Sequence, residues 1–396
     1  MFPLSQTKTL AILVRATEGS PPFTDELFCR RLSLGSVRYA LQVIVIPISV
    51  EAAQSYLQRG YTYLQGKWNP VPIPAVDLFM DRCLRPLPRK IRQQLEQRAS
   101  VNGKVPHRYW SASLPGKWEV HRVLSRNPEL RARLAPTTRI ELHIPWETWL
   151  DHWPKGLFFK PVAGTHGKNT FRLSRGEMPS TWIVEGRSSD NEHVHLTFNH
   201  TQAVSSWLES HQAERKMIVQ PYLELSHHGR AFDIRALMQK NGQGRWALTG
   251  CMVREGPEGS LTSNLHGGGK AYPVHSYLMQ RYGTVRTEAL LQNIRQTATL
   301  IPTLLENRFG RLAELGLDFG VDAEGNLWLI EVNSKPGRTS FAEAGDRRMH
   351  ALTYTRPLAY ARYLLQQHVL TDVIRPMKMP NSSSKAGLKP IPIHGG

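Results

Sequence analysis

The 396-residue chain has only three cysteines, Cys29, Cys83 and Cys251, and no two of them form a C-x-x-C pair. That scarcity argues against a disulfide framework or a zinc site and makes the reducing cytosol the default compartment. Long apolar runs are missing too. LAILV, near the N-terminus, is too short for a signal-peptide core or a membrane span, and nothing later approaches the length of either. Acids are in short supply: 32 Asp and Glu stand against 50 Lys and Arg, a net charge of +18. Between Arg82 and Arg139, fourteen cations face three acids (Glu96, Glu119, Glu129), so 14 − 3 = +11 of that surplus lies in one segment. A basic face attracts polyanions such as nucleotides, nucleic acid, anionic polymers or acidic peptides. A solvated basic helix with no partner explains the same charges equally well. Nucleic-acid binding rests on charge alone, because no zinc-finger or RRM-like aromatic pattern accompanies it. The Walker pattern G-x-x-x-x-G-K-[ST] is absent, and no internal repeat is found.

The chain is long enough for two to three domains. TLAILVR and ALQVIVIPI read as buried strands, VEAAQSYLQRG as a short helix, and YTYLQGKW as a third strand. The proline-punctuated WNPVPIPAVDLFMDRC and a polar helix, LPRKIRQQLEQRAS, follow. This alternation predicts a small α/β domain over residues 1–115. HRVLSRNPELRARL reads as a basic helical linker within 116–135. From Leu157 a series of strands is expected: FFKPV, FRLSR, TWIVEG, HVHLTF, MIVQPYL, FDIRALMQ and RWALTGCMVRE. A helix, TQAVSSWLESH, stands among them, and another covers about Thr287–Asn307. A last helix covers about Asp346–Gln367. The tail, 371–396, is rich in Pro, Gly, Ser and Lys and is expected to be disordered.

Four stretches carry chemistry. In LGLDFGVDAEGNLWLIEVN, two apolar strands flank a D-A-E-G-N turn, which predicts a hairpin. Glu331 and Asn333 share a face of its second strand, and Asp318 can lie opposite on the first. Two carboxylates and an amide oxygen suit Mg²⁺, although an ordinary hairpin with a solvated polar face has the same pattern. In FFKPVAGTHGKNT, Lys160 ends an apolar strand. Gly164 and Gly167 let the backbone approach a phosphate there, and Thr165 offers a hydroxyl. In MIVQPYLELSHHGRAFDIR, Gln220, Pro221, Tyr222 and Leu223 could present backbone groups to an adenine edge. Asp233 could accept from ribose hydroxyls, with Arg235 on its face; a buried Asp–Arg ion pair is the structural alternative. In VREGPEGSLTSNLHGGGKA, Arg254 suits a phosphate, and Asn264 and Gly267–Gly269 follow in a loop that could close over a site.

Taken in order, these blocks resemble the ATP-grasp superfamily, with RimK-like middle motifs, and within it the YheC/YheD group of endospore coat-associated proteins. The resemblance covers about residues 60–370 and includes W-N-P-x-P-x-P…D-R around Trp68–Arg82, Lys117-Trp118 and A-P-T-T at Ala135–Thr138. It implies an ATP-grasp fold of mixed α+β and α/β character, with two α+β lobes (136–370) clasping ATP behind a pre-ATP-grasp domain. It implies ATP with Mg²⁺ or Mn²⁺, and an ATP-dependent carboxylate–amine or thiol ligase acting through an acylphosphate. By resemblance, Lys160 and Lys117 contact phosphates, Gln220–Leu223 form the adenine hinge, and Asp233 meets ribose. Arg254 stands beside the transferred phosphate with Asn264 in its loop, and Asp318, Glu331 and Asn333 hold the metal. Spore association, with the basic segment 82–139 docking on anionic spore or cell-wall material, comes from the same source, as does a non-catalytic ATP-holding coat protein as the alternative. One departure is Lys168-Asn169 after Gly167, where a further small residue is usual. The other is an N-terminal domain shorter than in many relatives.

Overall fold

The computed structural model describes residues 7–49, 59–98, 109–140, 145–164, 167–227, 229–258, 263 and 268–367. The helix expected over VEAAQSYLQRG, all but its last two residues, and the tail 371–396 lie outside them.

The first sheet collects β1 (Lys8–Arg15), β2 (Leu41–Ile48), β3 (Gly60–Leu64), β4 (Lys67–Val71) and β5 (Leu78–Asp81) in the order β4-β3-β2-β1-β5. β1 runs parallel to β2 and β5, and the crossover from β1 to β2 is α1 (Glu26–Ser36). YTYLQGKW, expected as one strand, is instead the β3–β4 hairpin, because Gln65 and Gly66 both adopt positive φ and reverse the chain. The run of prolines after it still contributes β4 and β5. α2 (Arg89–Gln97) buries Ile91 and Leu95 against one face of the sheet.

Two short helices, α3 (Lys117–Leu124) and α4 (Pro128–Arg131), replace the single expected linker helix; Asn127 caps the second through its side chain. The middle sheet is antiparallel throughout. It comprises β6 (Thr138–Arg139), β7 (Leu157–Pro161), β8 (Thr170–Arg175), β9 (Trp182–Arg187), β10 (His193–Phe198) and β11 (Met217–Pro221), in the order β10-β9-β8-β7-β11-β6. α5 (Trp146–His152) and α6 (Thr201–Glu214) cover one face, over a core of Trp146, Leu150, Phe159, Phe171, Val204 and Met217.

The third sheet holds β12 (Ser226–His227), β13 (Arg230–Lys240), β14 (Trp246–Glu258), β15 (Lys270–Pro273), β16 (Glu314–Val321) and β17 (Leu327–Asn333), ordered β15-β14-β13-β16-β17 with β12 paired to β13. α7 (Val274–Phe309) supplies Leu290, Ile294, Ile301 and Leu305 to the core beneath it. It starts earlier than expected and breaks at Gly283, where φ 69° and ψ 176° are not helical. α8 (Thr339–Glu343) precedes α9 (Arg347–Gln366), which Asp346 caps by accepting from Met349 N. The apolar side of α9 does not stay with its own sheet. Tyr354, Leu358, Tyr360 and Ala361 join α1 and the β1–β2 face, so the first and third units share a core.

Candidate active site

Alternation along β7 and β11 sets the site's first wall. Phe159, Met217 and Val219 point into the middle core, so Lys160, Ile218 and Gln220 face the opposite way. Lys160 reaches across to the third sheet, where its Nζ donates to the Ile330 carbonyl oxygen at 3.4 Å. Burial pulls its pKa down to about 8; Glu331 resists that fall and Lys117 adds to it. Lys117, at the start of α3, donates from Nζ to Gly164 O (2.7 Å) and lies 3.3 Å from Glu331 Oε1. Its backbone N–H also bonds Val162 O at 2.9 Å. That approach needs Gly116, because a Cβ there would sit 2.6 Å from Val162 Cγ1. The loop after β7 accommodates the unusual Lys168-Asn169: Gly167 and Asn169 both take left-handed φ, which asparagine tolerates. Thr165 and Asn264 lie outside the described residues, as does Gly267.

The opposite wall is one face of the third sheet. Asp318 lies opposite Glu331, and Gly316 opposite Asn333. A β-bulge at Ile330 makes this possible. Leu327 and Leu329 face the core, and strict alternation would send Glu331 there as well. The extra residue shifts the register, so Val332 packs inward while Glu331 and Asn333 turn to the cleft.

Beside them lies a buried network of four charges. Arg235 engages both Asp318 oxygens, through a short Nε contact and through Nη2 at 3.0 Å to Oδ2. Arg254 grips Asp233 at 2.7 and 2.6 Å and reaches Asp318 Oδ2 at 3.2 Å. Ser263 Oγ also donates to Asp233. Burial alone would raise the Asp318 pKa, but the two guanidiniums hold it below the usual carboxylate range. These are buried Asp–Arg ion pairs between neighbouring strands, the structural alternative that the sequence offered. Arg235 shares a face with Asp233 but bonds its cross-strand neighbour Asp318, and Asp233 is held by Arg254 and Ser263.

Gln220 is fixed by the A-P-T-T stretch. Its Nε2 donates to Thr137 Oγ1 (2.6 Å), and Thr137 donates to Ala135 O (2.8 Å). His121 Nε2 lies 3.3 Å from the same carbonyl, and burial lowers its pKa. Pro221 ends β11 and Leu223 is half-buried. Tyr222 N bonds Gly156 O at 2.8 Å, and the Arg172 guanidinium lies 4.2 Å from the Tyr222 ring centre. Thr137 and Ala135 belong to the A-P-T-T stretch, whose role only the tertiary contacts reveal.

The walls therefore bring together three carboxylates (Asp233, Asp318, Glu331) and four cations (Lys117, Lys160, Arg235, Arg254), a net charge of 4 − 3 = +1. Among the described residues no three His, Cys, Asp or Glu side chains converge as a closed metal cage would require. Asp318 and Glu331 are cross-strand partners and Asn333 lies two residues further along, so oxygen donors border one another there, with both Asp318 oxygens held by Arg235. Such oxygen donors suit a hard divalent ion whose remaining positions go to phosphate and water.

A mixed α+β molecule of three sheets, with cations and carboxylates facing each other between the second and third, has the ATP-grasp fold. The YheC/D-like ATP-grasp family model matches residues 107–364, and the chain belongs to that family. The endospore coat-associated protein YheC of Bacillus subtilis (strain 168) is 26% identical over 318 residues, covering 79% of this chain and 85% of that protein. YheD of the same strain is 24% identical over 319 residues, covering 78% and 68%. Among solved structures, a D-alanine–D-alanine ligase from Coxiella burnetii superposes with a TM-score of 0.49 at 13% identity, over 92% of this chain and 98% of that one. D-cycloserine synthetase DcsG gives 0.49 at 11% identity, over 92% and 100%. Among the described residues no helix is long and apolar enough to cross a membrane.

Proposed function

We propose that this protein binds ATP with Mg²⁺ or Mn²⁺ between its second and third sheets and uses it to join a carboxylate to an amine. The observation that carries this reading is the meeting of Lys160, Lys117 and Glu331 from three separate segments at one point of the cleft. A carboxylate oxygen of the substrate attacks the γ-phosphorus, the bond from that phosphorus to the bridging oxygen breaks, and ADP leaves. The amine nitrogen then attacks the acyl carbon of the acylphosphate, the acyl C–O bond breaks, and phosphate leaves as the nitrogen loses a proton. Both partners of the first step are anionic, so positioned positive charge is the main catalytic demand. Lys117 and Lys160 meet it at the phosphates, and Arg254 at the transferred group. Gln220–Leu223 hold the base, and Asp233 and Arg235 border the nucleotide. Asp318, Glu331 and Asn333 would hold the metal, which when bound polarises phosphate oxygens.

A second reading has its own support. Arg254 is already engaged by Asp233 and Asp318, which suits a coat protein that holds ATP without turning it over. The names of the Bacillus subtilis relatives motivate an association with the spore coat in either case. Screening amino acids and short peptides for ADP release, with mass spectrometry of the product, separates the two. A ligated product supports the ligase. ATP binding without turnover across the screen overturns it in favour of the second reading.

A basic face is proposed for an anionic spore or cell-wall polymer. α2 covers the side of the first sheet away from α9. Arg85, Arg89, Lys90 and Arg92 are exposed there, and none forms an ion pair among the described residues. Two of them occupy the first helical turn, where the helix dipole disfavours cations and no acid offsets them.

A further inference from the structure

The loop that follows β17, Ser334–Arg338, is held at four of its five residues by side chains or backbone from distant parts of the chain. Ser334 Oγ accepts from Leu114 N at 3.0 Å. Lys335 Nζ bonds Asp81 Oδ2 at 2.8 Å and makes a short contact with Cys83 O. The Pro336 carbonyl oxygen accepts from Arg82 Nη2 at 3.3 Å and Arg338 Nη1 at 3.2 Å. Arg82 and Arg338 then share one buried carboxylate: Arg82 Nη1 lies 3.1 Å from Glu314 Oε1, and Arg338 makes a short contact with Oε2. Gln239 adds a third bond to Glu314 at 3.1 Å, and both guanidiniums approach the Phe28 ring, 4.9 and 4.2 Å from its centre.

This arrangement is expensive to build. Arg82, Glu314 and Arg338 are all buried, and ions taken from water stabilise a fold poorly unless every partner is in place. A join between two units could be made from apolar surface alone, as α1 and α9 already demonstrate. What the charges add is position. The pinned loop begins one residue after Asn333 and three after Glu331. Pro336 also packs against Gly316, where a Cβ would lie 2.8 Å from the proline ring, and Gly316 is the cross-strand partner of Asn333.

We infer that Asp81 and Arg82, at the end of the first sheet, are positioning residues for the metal-binding edge of the cleft. They act through Lys335 and Pro336 on Asn333 and Glu331 and touch neither nucleotide nor metal. The inference rests on the assignment of Asp318, Glu331 and Asn333 proposed above. It gives the first unit a part in the nucleotide site.

The test uses the full chain and Arg82→Lys, which keeps the charge but cannot bridge Glu314 and Pro336 at once. ATP binding is followed by calorimetry across a Mg²⁺ titration and again in EDTA. Loss of outer partners of metal ligands typically weakens metal affinity about 10- to 100-fold. The Mg²⁺ concentration giving half-maximal enhancement of ATP affinity should therefore rise by about that factor. Affinity in EDTA should stay at the wild-type value, because Lys117 and Lys160 are untouched. Hydrogen exchange at residues 334–338 should quicken in parallel. If Arg82→Lys does not fold, Asp81→Asn serves instead; it preserves volume and breaks only the Lys335 pair. A variant with lowered thermal stability but an unchanged Mg²⁺ midpoint would show a merely structural role and overturn the inference alone. A wild-type protein whose ATP affinity ignores Mg²⁺ would overturn the metal assignment, and the inference with it.

Discussion

Lys160 links two opposed pH dependences through one ammonium. Its folded pKa, about 8, lies below the ordinary lysine value of 10.5, so burial costs stability wherever the group is charged. Between about pH 8 and 10.5 the unfolded chain binds more protons at this position than the folded one, so the lysine's contribution to stability rises across that window. Phosphate binding has the reverse sign, because only the ammonium attracts it. ATP affinity should fall by up to about tenfold per pH unit above 8, and Lys160→Ala should weaken binding and flatten that slope, as calorimetry at pH 7–9.5 would reveal. Undiminished Mg-ATP stabilisation in Lys160→Ala would remove the phosphate assignment. Glu331→Gln is nearly isosteric at a partly exposed site, so its stability should change by less than about 1 kcal/mol. The Mg²⁺ dependence of ATP binding should shrink markedly and any turnover should fall by orders of magnitude, since charge at a transferring phosphate is worth several kcal/mol. Both residues could be picked out from sequence, because a lysine closing an apolar strand and acids on one are conspicuous exceptions to pattern. The pairing of the buried charges beside them could not. Arg235 pairs with Asp318 across 83 positions, and only the register of β13 against β16 decides that.

Whole elements were legible where their pattern is local. The β16–β17 hairpin carries its own turn: Asp322 accepts from Asn326 N (2.7 Å) and Trp328 Nε1 (2.7 Å), and Gly325 takes φ +79°. Strands β8 to β10 and the capped start of α9 were equally open to reading. α1 was not, since Leu27 and Leu34 are exposed and its buried side, Phe28, Cys29 and Leu32, meets α9 from more than 300 residues away. The Ile330 bulge has no composition signature either, yet it aims Glu331. At the junction of α3 with β7 the decisive element is a missing side chain. Gly116→Ala should force Val162 or Lys117 aside, costing about 1–3 kcal/mol by overpacking. Thermal denaturation should register that loss, and ATP affinity should drop with it because the Lys117 ammonium moves. Adding Val162→Ala should restore part of both by removing the 2.6 Å contact.

For the whole molecule, the exposed cations around α2 and the charges of the cleft are separate groups. The α2 cations lie on the outer side of the first sheet, so reversing them should leave nucleotide binding alone. Arg85→Glu/Arg89→Glu/Lys90→Glu should lose retention on an immobilised polyphosphate while keeping wild-type affinity for Mg-ATP. Wild-type retention should weaken steeply with salt, because the screening length falls from about 10 Å at 0.1 M to about 3 Å at 1 M. Retention that ignores salt would remove the electrostatic reading. We propose a first unit over 1–115 and a nucleotide-binding region over 116–370, because the first sheet lies within the one and the other two sheets within the other. The apolar core obeys a different boundary. The family match starts at residue 107, yet α9, inside it, lays Tyr354, Leu358 and Tyr360 onto strands from the first fifty residues. A gene fragment cut at the start of the match would carry that helix without its cover, and a chimera joining one relative's N-terminal sheet to another's ATP-grasp region would mismatch two halves of a single core. The exchangeable piece is discontinuous: the first sheet has to travel with α9, because the two close over a single apolar core.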